Sequence, residues 1–507
     1  MTLGYDSSGY DSSGYDSRAM SARLIHGAPP RIDLDCDIAI VGGGACGLTA
    51  GIWARRHGAG DVLVLERDAA QGGSTALSSG FVPAAGTRLQ QALGIADSAD
   101  SFAADIAAKA HSTADPLLTR LYTLEIAAVI DTLADSYDLP FQLLDGFLYP
   151  GHRAARMHTL PERTGAALSA RLRTAAVQAG VDCVDRAQVQ TLFVDASRRV
   201  VAVGIIRPDG RVEHLGCRQL ILACNGFGGN AALVERFLPQ MKDSLYFGHA
   251  GNQGDAVIWG EALGAELADM SGYQGHGSVA TPHGILLTWA LMMKGGLQVN
   301  RDGRRFWNEH HGYSEAAEQV LAQPGGIAWN VFDERIHQFA QDFPDYQQAE
   351  RAGAIREAVD IPALARLIGC DKTVLQATLD EAARACANAA GDCHGRRFDA
   401  AQLLTPPFRA AKVTGALFHT QGGLAVDESC RVLARDAALA RRPDERHPDE
   451  RHPTALHPLA NVYAAGGAAR GVSGNHPSGY LSGNGLLSAL AGGAVAGRSA
   501  AQAAAET

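Results

Sequence analysis

Tyr480 is the one aromatic residue in the stretch NHPSGYLSGNG, residues 475–485, where three glycines, two serines and two asparagines surround it. Glycine and asparagine tolerate backbone conformations closed to other residues, so such a stretch is a turn. An apolar run, LLSALAGGAVAG, follows at once and reads as a helix. A phenol at the mouth of a helix can polarise a ketone oxygen by donating to it, or can take a proton once ionised. Ser482 adds a second hydroxyl two residues further on. What these oxygens act on depends on what binds at the other end of the chain.

That other end carries DIAIVGGGACGLTAGIWARRHG, in which an apolar strand, residues 38–41, runs into Gly42-x-Gly44-x-x-Gly47 and then a helix beginning near Ala45. A second strand, DVLVLER, ends in Glu66, nineteen residues beyond Gly47. In this context the first glycine permits the tight turn and the second lets the backbone approach a pyrophosphate. The third lets helix and strand pack closely, and the helix N-terminus offers N–H groups to the anion. Glu66 would accept from a ribose diol, with Arg67 beside it. A second small-residue loop, Gly72-Gly73-Ser74-Thr75 with Ser78, Ser79 and Gly80, follows.

The chain has 507 residues, 46% hydrophobic and 19% charged, with a formal charge of −10. It can bury a sizeable core, and two domains or one domain with an insertion are expected. Mixed charges without a basic face exclude nucleic acid as the main partner. The nine cysteines show neither C-x-x-C nor haem-attachment spacing. They read as reduced thiols of a cytoplasmic protein, with Cys46 and Cys224 as small core residues. No apolar run is long enough to span a membrane, and no metal site is expected. Residues 1–33, with the repeat GYDSSGYDSSGYDS, read as a disordered tail. PDERHPDERHP, residues 443–453, reads as a solvated surface loop.

Further stretches agree with the two loops: RQLILACNGFGG (Ala223, Gly226), GNQGDAVIWGEALGAEL (Gly254, Asp255), DGRRFWNE, HTQGGLAVD and VYAAGGAARG (Gly466, Gly467). Together they resemble the fumarate reductase/succinate dehydrogenase flavoprotein superfamily over nearly the whole chain after residue 35. The resemblance implies an α/β fold in which a Rossmann-type FAD-binding domain carries an inserted α+β cap. Residues 34–272 and 414–507 would form the FAD domain and 273–413 the cap. It further implies that FAD is held by Gly42, Gly44, Ala45, Gly47, Glu66, Arg67, Gly73, Ser74, Thr75, Ser78, Gly80, Ala223, Gly226, Gly254, Asp255, Gly466, Gly467, Asn484, Gly485, Leu486 and Leu487. Members with covalent flavin carry a histidine in the Ser-Thr loop. None is present in GGSTALSSG, so FAD should be non-covalent.

Fumarate reductases of this superfamily grip a dicarboxylate with two arginines. At the first position, four residues past RFWNE, this chain has Tyr313, and at the second, before Gly483-Asn484, it has Tyr480. Exchanging arginine for tyrosine removes a permanent cation and a bidentate carboxylate clamp. The paired tyrosines resemble the 3-ketosteroid dehydrogenase branch, in which one tyrosine and a backbone N–H hold the ketone oxygen, the other removes the α-hydrogen, and hydride passes to flavin. Tyr480-x-Ser482 also resembles the Tyr-x-Ser of members that desaturate the bond on the other side of the ketone. The resemblance places His276 and His419 on the substrate side. From the residues alone, Tyr313 equally suits a helix-face aromatic, and the two histidines equally suit buried rings satisfied by backbone. A tyrosine base needs a lowered pKa, and His310, His311 and His419 are candidates to supply it. HRAARMH, residues 152–158, is expected near the flavin.

The expected activity is α,β-desaturation of a cyclic ketone such as a ketosteroid or oxocyclohexane compound, with an unidentified electron acceptor. The alternatives are an enoate reductase of fumarate or urocanate type and a non-catalytic flavin-binding interaction protein.

Overall fold

The computed structural model describes residues 22–69, 72–144, 148–388, 391–435 and 455–506. The repeats at residues 4–17 and 443–453 lie outside the described residues.

The first layer is a nine-stranded sheet. Its inner strands Leu34–Val41, Val62–Leu65, Val212–Leu222 and Leu456–Ala464 run parallel, with Val212–Leu222 beside both Leu34–Val41 and Leu456–Ala464. Toward their carboxyl ends they are apolar and buried, as at residues 38–41, Val62–Leu65 and residues 220–222, where both faces are covered. Their carboxyl ends are knitted together: Gly42 N–H donates to Leu65 O at 2.9 Å, Ala223 N–H to Val41 O at 2.9 Å and Ala465 N–H to Leu222 O at 3.1 Å. Ligands of open α/β sheets bind at this edge. Two helices start there, Ala45–Arg56 and Asn484–Ala505. They pack so closely that a Cβ on Gly497 would lie 2.1 Å from Ala50 O.

The sheet extends further at the N-terminal side than the expected tail allowed. Arg23–His26 forms a parallel edge strand on Gln188–Val194, and Trp259 Nε1–H donates to Arg23 O at 3.1 Å. Residues 23–26 therefore belong to the fold, where a short run with Leu24 and Ile25 completes an edge ladder.

The cap is built on a seven-stranded sheet whose central strand, Phe408–Thr420, takes Tyr273–Ala280 on one side and Ile327–Asp333 on the other. The expected cap boundary at 413 falls inside this strand, and Leu245–Tyr246 also pairs with it. The helix Tyr313–Leu321 lies on the sheet at very short range. A Cβ on Gly277 would meet Ala316 Cβ at 2.3 Å, and one on Gly415 would meet Ala317 O at 2.3 Å. Glycines in the strands and alanines on the helix thus fix where the first residue of the helix, Tyr313, can stand. Ridge and groove here are small residues, so the packing leaves little freedom to shift.

Candidate functional site

The cradle at the sheet edge is made mostly of backbone. Gly42 has φ +108° and faces Ala223 O, and a Cβ on Gly47 would sit 1.9 Å from Gly42 O. Gly44 is different: a Cβ there would meet only Thr75 Oγ1, at 3.4 Å. The space it leaves open lies at the N-terminus of Ala45–Arg56, whose cap makes no side-chain hydrogen bond. One N–H of that turn, from Ala45, donates to Thr75 Oγ1 at 3.0 Å. Glu66 accepts from Gly43 N–H at 2.7 Å and, through its other oxygen, from Asp68 N–H at 3.0 Å. The second helix mouth, at Gly483, also has no side-chain cap. Asn484, fully buried in its first turn, keeps Oδ1 without a partner among the described residues. Open space at Gly44, two uncapped helix mouths and an orphaned buried acceptor fit a dinucleotide with a ring system at its end.

The remaining cofactor positions divide by role. Ser74 Oγ accepts from Asn225 Nδ2 at 2.7 Å and from Asn252 Nδ2 at 2.9 Å, so two asparagines that the sequence reading missed tie its loop to the sheet edge. Asn225 sits at φ +66°, a position glycine or asparagine tolerates. Ser78 donates to Thr75 O and accepts from Gly80 N–H, holding the shape of its own loop. Arg67 is turned away, donating to Gly251 O at 2.7 Å. Gly80 and Gly226 serve packing: a Cβ would meet Thr164 O at 2.7 Å and Thr420 Oγ1 at 2.0 Å, respectively. Gly254, at φ +80°, opens the helix Asp255–Leu263. Burial raises the Asp255 carboxyl to about 6, with Arg67 pulling partly back. Gly466 packs on Cys46 and Gly467 on Asn225. Gly485, Leu486 and Leu487 follow Asn484 in the first turn of the last helix.

Across the cradle, cap and FAD domain bring the two tyrosines together. Tyr313 and Tyr480 meet edge to face with ring centroids 6.3 Å apart. The Tyr313 hydroxyl and Ser482 Oγ are 3.0 Å apart, although 169 residues separate them in the chain. The backbone of Gly483 and Gly485 lies beside the Tyr480 oxygen and favours its ionised form. His419 stands edge-on to Tyr480 at 5.4 Å, and His276 stacks on Tyr313 at 4.9 Å. All five residues singled out for chemistry therefore share one pocket. Phe418 and Phe247, stacked at 4.9 Å, extend its aromatic wall.

The electrostatics differ from expectation. Burial pushes the Tyr313 phenol well above its ordinary value, Tyr480 adds to this, and the bond with Ser482 pulls partly back. Burial likewise raises Tyr480, against the backbone of Gly485 and Gly483. His419 is lowered by burial to about 4 and His276 to about 3, so both are neutral at pH 7. No histidine cation lowers either phenol. His310 faces another neighbourhood: burial and the nearby Arg396 hold it at about 4, beside the Arg305–Glu309 pair. His311 meets Asn308 Nδ2 at 3.4 Å. The expectation that His310 or His311 tunes a tyrosine is thus corrected. Both follow Glu309, whose side chain points into a buried ion network rather than toward the pocket.

That network also uses up a cap arginine. Glu309, fully buried, receives Arg305 at 2.6 Å and Arg396 at 3.0 Å. Burial would raise its carboxyl, but the Arg305 bonds and the charge of Arg396 hold it down at about 2. Arg301 and Arg304 are exposed.

The structure also adds residues to the site. His152 Nε2–H donates to Ser482 O at 3.0 Å, which puts His152 behind the Tyr480–Ser482 turn. Ser473 Oγ donates to Gln421 Oε1 at 2.8 Å, which leaves Gln421 Nε2 to donate to His419 Nδ1 at 2.9 Å. His419 Nδ1 also lies 3.4 Å from Thr420 O, and its Nε2 faces Gly485. Tyr149 acts electrostatically on both Tyr313 and Tyr480 and is itself raised by burial to about 12. Its signal in the sequence was faint: one tyrosine in a loop three residues before His152.

The chain matches the family described as FAD binding domain over residues 37–486, and it belongs to that family. A relative called probable fumarate reductase Ifc3, from Shewanella frigidimarina, is 26% identical over 92% of this chain and 74% of its own length. A 4-oxocyclohexanecarboxylate 2-dehydrogenase from Sinomonas cyclohexanicum is 24% identical over 79% of this chain and 85% of its own length. Among solved structures, the 3-ketosteroid-Δ4-(5α)-dehydrogenase of Rhodococcus jostii RHA1 shares the fold, with a TM-score of 0.75, 24% identity, and coverage of 94% of this chain and 99% of that one. The protein is an FAD-dependent oxidoreductase acting on CH–CH groups. Among the described residues no helix is long and apolar enough to cross a membrane.

Proposed function

We propose that this flavoprotein desaturates the bond beside the carbonyl of a cyclic ketone, with FAD bound non-covalently. The observation that carries the reading is the Tyr313–Ser482–Tyr480 cluster, set where a carboxylate-binding relative needs arginines. Bound flavin supplies the hydride acceptor.

The residues divide the remaining work. The Tyr480 hydroxyl, buried in the glycine-rich turn, is the donor. Donated to a ketone oxygen, it stabilises the charge that develops when the α-hydrogen leaves. His419 Nε2 faces Gly485 beside it and, when it carries the ring proton, shares that oxygen. Tyr313 takes the α-proton. Burial keeps its phenol protonated at rest, so it can accept only as its own proton moves on. Ser482 Oγ, 3.0 Å away, receives it while passing its own hydroxyl proton on to solvent base, so that Tyr313 ends as a phenol carrying the α-proton. Neutral His276, stacked on Tyr313, and Phe418 exclude water from this transfer.

The enoate-reductase reading is supported by the relative named as a fumarate reductase. It lacks a clamp: Arg305 is spent on Glu309 and Asp392, and Arg301 and Arg304 face solvent. Anaerobic mixing with cyclic ketones and, separately, of the reduced protein with fumarate distinguishes the two. Bleaching of flavin by a ketone supports desaturation, and rapid reoxidation by fumarate without any ketone response refutes it.

A further inference from the structure

The tyrosine cluster exists only while the cap rests on the FAD domain, because Tyr313 comes from one and Ser482 from the other. The seam beside it is thinly packed. A cavity of about 330 Å3 opens there between Trp307, Asn308, His311 and Glu315 of the cap and His476 and Pro477 of the FAD domain. Apolar packing therefore does not hold the seam shut at this point.

One side chain bridges it. Lys109, the last residue of the FAD-domain helix Ala99–Lys109, reaches Glu315 Oε1 at 2.6 Å and donates to His311 O at 3.0 Å. Glu315 lies two residues beyond Tyr313 on the same helix, and His311 two residues before it. The pair is nearly enclosed, with side-chain exposures of 15% and 16%. The lysine stem also runs past Gly151, where an added Cβ would lie 3.8 Å from Lys109 Cδ and 2.8 Å from Leu481 Cδ1, beside Ser482. Lys109 thus holds the chain on both sides of Tyr313, and Gly151 stands between its stem and Leu481, the neighbour of Ser482.

We infer that Lys109 and Glu315 form a latch that holds the cap closed at the catalytic edge and sets the Tyr313–Ser482 distance. Both are positioning residues. The inference rests on the ketone-dehydrogenase reading for the reaction served, not for the latch itself. Partly buried pairs act as a unit, since removing one partner strands the other. A misplacement of about 1 Å at reacting groups can cost up to about a hundredfold.

The test uses the holoprotein with amide hydrogen exchange as well as turnover. In Lys109→Met and Glu315→Gln, exchange over residues 311–321 and 476–482 rises severalfold while the cap strand Phe408–Thr420 is unchanged. Glu334→Gln, which alters a bond to Arg409 within the cap, leaves the seam as in the wild type. Ketone-dependent flavin reduction at saturating ketone falls about tenfold to a hundredfold in each single variant. The double variant loses no more than either, and Lys109→Arg restores most of the rate. Unchanged exchange at the seam in Lys109→Met, or loosening spread over the whole cap, overturns the latch. If the seam loosens as described but no cyclic ketone reduces even the wild type, the latch stands and the assigned reaction fails.

Discussion

The FAD cradle and the tyrosine pocket face one another, yet they are made of different material. The cradle is backbone: a turn at Gly42–Gly47, a helix mouth at Gly44 and another at Gly483, each defined by residues close together in the chain. The pocket is side chains: two phenols, a serine hydroxyl and two neutral imidazoles, drawn from strands and turns far apart in sequence and closed by a cap. The lesson is one of tolerance. Backbone recognition admits no bulk but is indifferent to side-chain chemistry, whereas the pocket admits an isosteric change and loses the chemistry.

Gly44→Val sharpens the cradle side and carries the largest expected effect. The new side chain meets only Thr75 Oγ1 on the protein side, so the chain folds. It fills the space for the pyrophosphate, so purified protein contains no flavin by absorbance. Gly47→Val, whose Cβ would overlap Gly42 O, loses soluble protein as well. Full flavin content in the Gly44 variant breaks the account of the cradle.

Tyr480→Phe leaves the cradle intact and removes one donor to the ketone. Turnover falls by about a hundredfold, the scale of one lost oxyanion donor, with flavin content unchanged. Steady-state kinetics per bound flavin check this, and a loss below about threefold contradicts it.

Acid separates the two regions by sign. His276 and His419, lowered to about 3 and about 4, are neutral in the fold but protonate near pH 6.5 when unfolded. The unfolded chain therefore gains protons first, and each histidine costs about 1.4 kcal/mol of stability per pH unit from about 6.5 down to its folded value. Asp255, raised to about 6, acts in the opposite sense: below pH 6 the fold takes up its proton before the unfolded chain does. The histidines outnumber it, so denaturation midpoints fall between pH 6.5 and 4. His276→Gln flattens that fall, and Asp255→Asn steepens it. A midpoint independent of pH over this range contradicts both assignments.

The cradle was legible because its constraints are local. Gly42, Gly44, Gly47 and Glu66 lie along one strand–turn–helix unit whose spacing shows in the chain. Tyr313 and Tyr480 were legible only through a resemblance, since nothing local ties residue 313 to residue 482. Their protonation was not legible at all. It depends on burial by a cap whose packing rests on Gly277 and Gly415 against Ala316 and Ala317, and on histidines that turned out neutral. The strand Arg23–His26 escaped notice because four residues next to a polar repeat carry no period of their own.

The most direct test of the central claim is anaerobic flavin reduction by a panel of cyclic ketones in wild type and Tyr313→Phe, at matched flavin content and across pH. The account predicts that a ketone bleaches the wild-type flavin at a rate rising with pH. In Tyr313→Phe the rate drops by roughly two to four orders of magnitude and the rise with pH disappears. Near-normal reduction in Tyr313→Phe, with the pH profile preserved, would contradict it.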